Sequence, residues 1–428
     1  MILPTTGLRL AHREKLSETL VTATPESPIY VDWSAMRVGL VHERFTEYAG
    51  SERVVGQLAA EWPDAPIFAP IVHPDGLPPG LEGRVRGDRL TPLLRGGTGY
   101  AHLLPLLPLA MRRLPLPDVD VVVASHHAFA DQVVYATDAP VVAYVHSPAR
   151  WVWDRQMRAG EAGGVVGAAV LGGFAAAYRG PDKRAAARLH TIMANSRAVA
   201  ERIEDWWGRS ALVVPPPVDT DYYTPSAGVA REDFFLLAGR LVPYKRAQVA
   251  VAAAAAAGVR LVVAGDGRGR AECERLAGPH TTFLGRVDDA TLRDLYRRCA
   301  ALLMPGLEDF GIVPVEAQAT GAPVIATAAG GALDTVVPGR TGVLVPPVST
   351  EAETHDAWVT ALRQADPTGF DAAEMRRHAE GYSHAAFRAA VRRIVTGVAG
   401  ASDDGSVYPG EVHTSNPRSA GPVFARRV

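Results

Sequence analysis

The sequence is short of the features that would assign it at once. Two cysteines, Cys273 and Cys299, occur in 428 residues and form no CxxC pair. This excludes a disulfide scaffold and a cysteine-built zinc site, and both thiols are expected buried in helical segments of a reducing compartment. No apolar run reaches the roughly 18 residues of a membrane-spanning helix. The opening residues lack the apolar core of a signal peptide, so a cytoplasmic protein is expected, with peripheral contact at the inner face of the cell membrane as a further expectation. A net charge of −2, with 21% charged residues, excludes a broadly basic nucleic-acid binder. Anion binding then falls to a few local groups. HExxH, GxSxG and GxxxxGK[ST] are absent, and the glycine-rich AGDGRGR, 264–270, does not fit GxGxxG.

What is present is alternation. Hydrophobic residues make up 47% of the chain, enough for two domains of roughly 150 to 200 residues each. Short apolar strands interchange with helical patterns, which is the mark of parallel α/β construction. Strands are expected at 36–42, 65–71, 119–125, 139–146 and 190–194. A second set is expected at 234–238, 260–264, 281–284, 301–304 and 323–327. Continuous runs such as VVVAS suit strands buried on both faces.

The Pro-rich VVPPPVDTDYYTP marks a connector, 213–225, between a first domain, 36–212, and a second, 226–380. An amphipathic helix, 381–398, closes the folded part. Residues 1–35 are expected to be a weakly ordered arm, with Met36 as an alternative start, and 399–428 a disordered tail. Two open α/β sheets joined by a hinge place a cleft at the carboxyl ends of their strands. The Leu-rich stretch YAHLLPLLPLAMRRLPLP, 100–117, reads as packing on the first domain or as contact with a lipid acceptor or membrane surface.

Five segments carry candidate chemistry. In GLEDFGIVPVE, a strand and loop lead to a helix whose first amides, at Gly311, Ile312 and Val313, suit a phosphate. Glu316 in its first turn could accept both hydroxyls of a ribose, and Glu308 a sugar hydroxyl. The plain alternative for Glu316 is a carboxylate compensating the helix dipole. In LLAGRLVPYKR, Arg240 and Lys245 at a strand's end could straddle a diphosphate, or form an ordinary basic turn. Gly50, opening a helix in LVHERFTEYAGSERVV, lets a ligand approach the backbone. His146 in YVHSP could bond a sugar hydroxyl, though a lone histidine is more often structural. Gly330 and Gly331 end a strand where a ligand could approach, or simply make a turn. The two DxD triplets, Asp118–Asp120 and Asp219–Asp221, fall at a strand entry and in the connector and read as structural.

Together these motifs resemble the retaining family-4 glycosyltransferases of the GT-B fold, over about 36–398. The resemblance implies that Arg240 and Lys245 bind the donor diphosphate and that Glu316 holds the nucleotide ribose. Glu308 with Asp309, Phe310, Gly311, Ile312 and Val313 would touch donor sugar and phosphate, as would Gly330 and Gly331. Gly50 would lie under the diphosphate and His146 beside the donor sugar. His146, Glu308, Arg240 and Lys245 form the expected catalytic set, without metal or other cofactor. Where the family often has two glycines, this chain has Ala49-Gly50. EDFGIVPVEAQATGAPVIA, HERFTEYAGSERV and YVHSPARWVWD look like bacterial mannosyltransferases of polysaccharide and O-antigen assembly. The implied partners are GDP-mannose and a glycan or polyprenyl-diphosphate-linked acceptor, and no nucleic acid. Competing expectations are a sugar phosphorylase, a nucleotide-sugar epimerase, or a catalytically silent nucleotide-sugar-binding partner.

Overall fold

The computed structural model describes residues 36–95, 99–155, 157–158 and 164–401. The expected arm, 1–35, lies outside the described residues, as does the expected tail, 399–428, except for 399–401, which are helical and extend the closing helix past its expected end at 398.

Apolar runs form parallel strands that build two sheets. The first has seven strands in the order β3-β2-β1-β4-β5-β6-β7. They are β1 (Val38–His42), β2 (Ile67–Phe68), β3 (Val85–Arg86), β4 (Val121–His126), β5 (Val141–Val145), β6 (Thr191–Ala194) and β7 (Leu212–Val213). The second has six, in the order β10-β9-β8-β11-β12-β13. They are β8 (Phe235–Ala238), β9 (Leu261–Ala264), β10 (Thr281–Gly285), β11 (Ala301–Met304), β12 (Val324–Thr327) and β13 (Gly342–Val345).

Alternate strand residues feed opposite layers, as a period of two requires. Val121 and Val123 of β4 face one core, while Val122 and Ala124 face the other. In the second sheet Leu236 and Leu302 point to one side, and Phe235 and Leu303 to its reverse. Burial on both faces explains why these strands read as unbroken apolar runs. Of the strands the sequence does not announce, β3 and β7 are two-residue edges and β13 opens on a glycine. In 100–117 no long helix forms. A short 3₁₀ turn (Ala101–Leu103) and a helix (Leu107–Met111) bury Leu103, Leu107, Met111 and Leu114 under the first sheet.

The terminal helix His384–Ala401 returns from the second half to the first. Its Phe387, Val391, Val395 and Val398 complete the layer containing Val38, Leu40 and Tyr144. At about 1.5–3 kcal/mol for each fully buried side chain, this is a substantial tie. In both sheets the strand order reverses beside the first strand, between β1 and β4 and between β8 and β11. Crevices form at such reversals, outside the carboxyl ends of the strands. Among the described residues, no helix is long and apolar enough to cross a membrane.

Candidate active site

A cleft of about 490 Å³ opens at these reversals and is walled by both halves. Gly50, Ser51, His146, Arg150 and Asn195 line it from the first half; Gly239, Arg240, Lys245 and 306–314 line it from the second.

On the second wall, β8 runs into Gly239-Arg240 and a 3₁₀ turn, Pro243–Lys245. Arg240 is exposed to the cleft. Lys245 Nζ stands 3.0 Å from Glu308 Oε1. This closeness depends on Gly306, where a Cβ would meet the Lys245 backbone at 2.5 Å. The following residue, Arg246, adopts the left-handed region with φ 49°. Its guanidinium is held by Glu351 at 2.7 Å. Strain of this kind costs about 1–3 kcal/mol and persists where the surroundings enforce it. The helix Ile312–Ala319 starts at Gly311, and its amide end lines the cleft with Pro314 at the third helical position. No backbone donor is lost there, since that position has no intrahelical partner.

Four of the expected donor residues sit differently from the sequence reading. Glu316 is not on the cleft rim in the first turn. It is buried one turn into the helix, 3.6 Å from Arg53 of the first half, and accepts from the Tyr296 hydroxyl at 3.2 Å. Burial pushes its carboxyl up to about 7, against the opposing pull of Arg53 and Tyr296. A separate interdomain hollow of about 370 Å³, lined by Arg53, Tyr223 and Asp289 among others, shares Ile312 with the main cleft. Gly330 and Gly331 pack against protein backbone on the side where a Cβ would stand. A Cβ on Gly331 would lie 2.1 Å from the Phe310 carbonyl oxygen, and one on Gly330 2.5 Å from that of Glu308. The Gly331 amide also donates to the Glu308 carbonyl at 2.9 Å. The Gly-Gly turn therefore shapes the Glu308–Phe310 loop from behind. Phe310 itself turns inward, 3% exposed, against Tyr382.

Asp309 accepts from Arg202 at 2.5 Å and Arg150 at 3.4 Å, both across the cleft. With Arg53–Glu316 and Arg197–Asp334, four arginines of the first half thus grip three acids of the second. Sequence reasoning found none of these pairs, because partners lie far apart in the chain and arginine is common on helices.

The first wall is unusually rich in histidine. His146 follows β5, its backbone oxygen accepting from Asn195 at 2.9 Å and its ring stacked 4.5 Å from His127. His146 Nε2 lies 2.9 Å from Ser125 Oγ, which lies 3.1 Å from His42 Nδ1. His42 Nε2 in turn lies 3.3 Å from Glu52 Oε1. Glu52 Oε2 accepts from the Ala49 amide and the Ser51 hydroxyl. Burial raises the Glu52 carboxyl, but hydrogen bonds from His42, Ser51 and the backbone bring it down to about 2. Burial drives His146 down to about 3, His126 to about 4 and His127 well below the usual imidazole range. Gly50 opens its helix against Ile312 of the opposite half, with room for a Cβ at 3.5 Å.

Away from the cleft, Leu106 and Leu109 stay exposed and, with Arg89 and Arg113, line a shallow groove of about 210 Å³. Asp118 and Asp120 are ion-paired to Arg37. Among the described residues, no group of three or more histidine, cysteine or acidic side chains is arranged to hold a metal ion.

Residues 48–222 match the model for Glycosyltransferase Family 4, and 225–363 match the model for Glycosyl transferases group 1. Proteins named D-inositol 3-phosphate glycosyltransferase match in part. That of Mycobacteroides abscessus is 34% identical over 195 residues, 40% of this chain and 43% of the relative. That of Rhodococcus opacus is 31% identical over 236 residues, 47% and 52% of the two chains. The chain spans about half the length of the curated relatives it matches. Solved structures share the fold along most of the chain. Sucrose-phosphate synthase from Thermosynechococcus elongatus has a TM-score of 0.64 at 19% identity, over 85% of this chain and 100% of that one. Anabaena HepE in complex with UDP has a TM-score of 0.60 at 19% identity, over 84% and 100%. The chain has the two Rossmann-like domains of the GT-B fold, a family 4 glycosyltransferase domain followed by a group 1 domain.

Proposed function

We propose that the chain is a hexosyltransferase that moves a sugar from a nucleoside-diphosphate donor to a glycan or polyprenyl-diphosphate-linked acceptor, with retention of configuration. One observation carries the reading: Arg240, Lys245, Glu308 and an amide-lined helix tip face Gly50 and His146 across a single cleft. On this reading the cations and amides take the negative charge that grows on the departing diphosphate, and no metal is called for. The Lys245–Glu308 pair supports it. Glu308 stands where a donor sugar hydroxyl would replace it as a partner of Lys245 or bond to its carboxylate. Glu316 is assigned to the ribose, and Arg53 must yield part of its contact for the diol to enter. Among the described residues the acids lining the cleft, Glu308 and Asp309, are paired with Lys245 and with Arg150 and Arg202, so on this reading the leaving diphosphate guides the acceptor onto the same face.

GDP-mannose is the donor favoured by the motifs; UDP in HepE makes UDP-glucose its main competitor. The groove at Leu106, Leu109, Arg89 and Arg113 is offered to a lipid-linked acceptor or membrane surface, at the cytoplasmic face.

A thermal-shift panel of nucleoside-diphosphate sugars tests the donor. A ligand at a hundred times its Kd adds about 2.7 kcal/mol, and GDP-mannose is expected to exceed the UDP-sugars. Arg240→Ala and Lys245→Ala should each cut sugar transfer about 10- to 150-fold, the value of a charge-assisted hydrogen bond of about 1.5–3 kcal/mol. Wild-type transfer by both variants would end this assignment. Release of nucleoside diphosphate only when acceptor is present separates transfer from silent binding, and dependence on free phosphate would indicate a phosphorylase.

A further inference from the structure

The proposed function uses His146 but leaves unexplained why three more buried polar side chains queue behind it. Ser125, His42 and Glu52 are each less than 9% exposed. They come from the ends of β4 and β1 and from the first turn of the Gly50–Glu61 helix. Buried polar groups this closely spaced must agree on who donates to whom.

Glu52 sets the direction. Its ionised carboxylate only accepts, so the His42 Nε2 position must carry the proton. With a single proton, on Nε2, His42 has a lone pair at Nδ1, which requires the Ser125 hydroxyl to donate to it. The Ser125 oxygen is left as acceptor for His146, so His146 carries its proton on Nε2. Among the described residues, His146 Nδ1 has no hydrogen-bond partner, and the ring lines the cleft.

We infer that Glu52, His42 and Ser125 are positioning residues that lock His146 in the Nε2–H tautomer and present a bare Nδ1 to the cleft as an acceptor for a sugar hydroxyl. The sugar hydroxyl rests on the transferase reading above; the locked tautomer does not. His127, stacked on His146, holds the ring plane without entering the chain of hydrogen bonds. Its burial, with that of His146, keeps both imidazoles neutral at ordinary pH. A cation at His146 would repel nothing on an anionic donor, but it would convert the acceptor into a donor and lose the discrimination.

An isosteric change should invert the whole chain. In Glu52→Gln the amide oxygen is claimed by the Ala49 N–H and the Ser51 hydroxyl, which both aim at the Oε2 position. The amide NH₂ then faces His42 Nε2 and donates. His42 must carry its proton on Nδ1, Ser125 must turn its hydroxyl to His146, and His146 must move its proton to Nδ1.

The test is ¹⁵N NMR of the full chain with labelled histidines, without donor. In the wild type, His42 and His146 are expected as Nε2–H tautomers; in Glu52→Gln both switch to Nδ1–H. Adding Ser125→Ala should uncouple His146 from the Glu52 change while His42 still switches. An unchanged His146 tautomer in Glu52→Gln would overturn the inference. So would a doubly protonated His42 or an Nδ1-protonated His146 in the wild type, which requires no variant to fold. In transfer assays Glu52→Gln should lower kcat about 2- to 12-fold, the worth of one net hydrogen bond, with donor KM little changed. If the tautomers behave as expected while no sugar is transferred by the wild type, the transferase reading fails and the relay stands.

Discussion

If Glu316 takes the nucleotide ribose as proposed, removing the positive charge at Arg53 should move the pH at which that ribose is bound. Glu316 is 5% exposed in its side chain and lies 3.6 Å from the Arg53 guanidinium, its nearest cation. Burial holds the carboxyl at about 7, so near neutrality only part of the population is ionised. At that separation a charge pair is worth about 4–5 kcal/mol with an effective dielectric of 20. The Arg53 side chain is 37% exposed, and solvent screening reduces the figure to about 1.5–3 kcal/mol. At about 1.4 kcal/mol per pK unit, Arg53→Gln should raise the carboxyl by about one to two units.

The sign follows from the donor inventory. Only the carboxylate accepts from both ribose hydroxyls, so nucleotide affinity should climb as pH rises through the Glu316 pKa. In Arg53→Gln that climb should come at about pH 8 to 9 instead of about 7. Calorimetric titration from pH 6 to 9, with the nucleoside diphosphate that stabilises the wild type most, measures this directly. A 2′,3′-dideoxy analogue controls for titration of the phosphate and should show no Arg53-dependent change. Superimposable affinity profiles for wild type and variant would refute both the assignment of Glu316 and the coupling to Arg53.

Two further outcomes are expected. Gly331→Ala forces a Cβ to within 2.1 Å of the Phe310 carbonyl, so the Glu308–Phe310 loop must shift. Nucleotide affinity should fall by about tenfold or more, with melting temperature lowered by several degrees; unchanged binding would mean that the loop tolerates the move. Acid should destabilise the fold through the buried histidines. His126 at about 4, His146 at about 3 and His127, which burial holds well below the usual imidazole range, take up protons on unfolding, because each is depressed below its unfolded value near 6.5. Their stability is full above about pH 6.5 and lost as pH falls below it, at about 1.4 kcal/mol per pH unit for each histidine. Denaturant titrations from pH 7.5 to 5 should show this slope, and a flat profile would contradict neutral burial.

The central strands of both sheets were legible because burial on two faces writes itself as continuous apolar sequence, whereas the edge strands β3 and β7 and the glycine-led β13 were not. So were the Gly239-Arg240 corner, Lys245 and the Gly311–Pro314 helix start, since strand end, loop and helix tip are local features. The partners of those groups were not legible. Arg53 and Glu316 are more than 250 residues apart, and nothing near either one names the other. Gly330 and Gly331 correctly signalled a close approach, but a glycine records only that space is needed, not whether ligand or backbone fills it. His146 stood out as a lone histidine, whereas His42, Ser125 and Glu52 become a chain only when β1, β4 and β5 lie side by side. Arg246 carries no outward sign of its left-handed backbone.

The chain crosses between the two halves twice, and the crossings touch. Val218 donates its amide to the Tyr382 carbonyl at 2.8 Å, and Val218 bridges Ser383 in parallel. Two backbone passages fastened edge to edge form a strap and not a swivel. Twisting one lobe about the long axis would shear that bond, whereas bending across the strap leaves it whole. The strap therefore lies beside the ion pairs of Arg150 and Arg202 with Asp309 as a second, backbone-built tie between the same two halves.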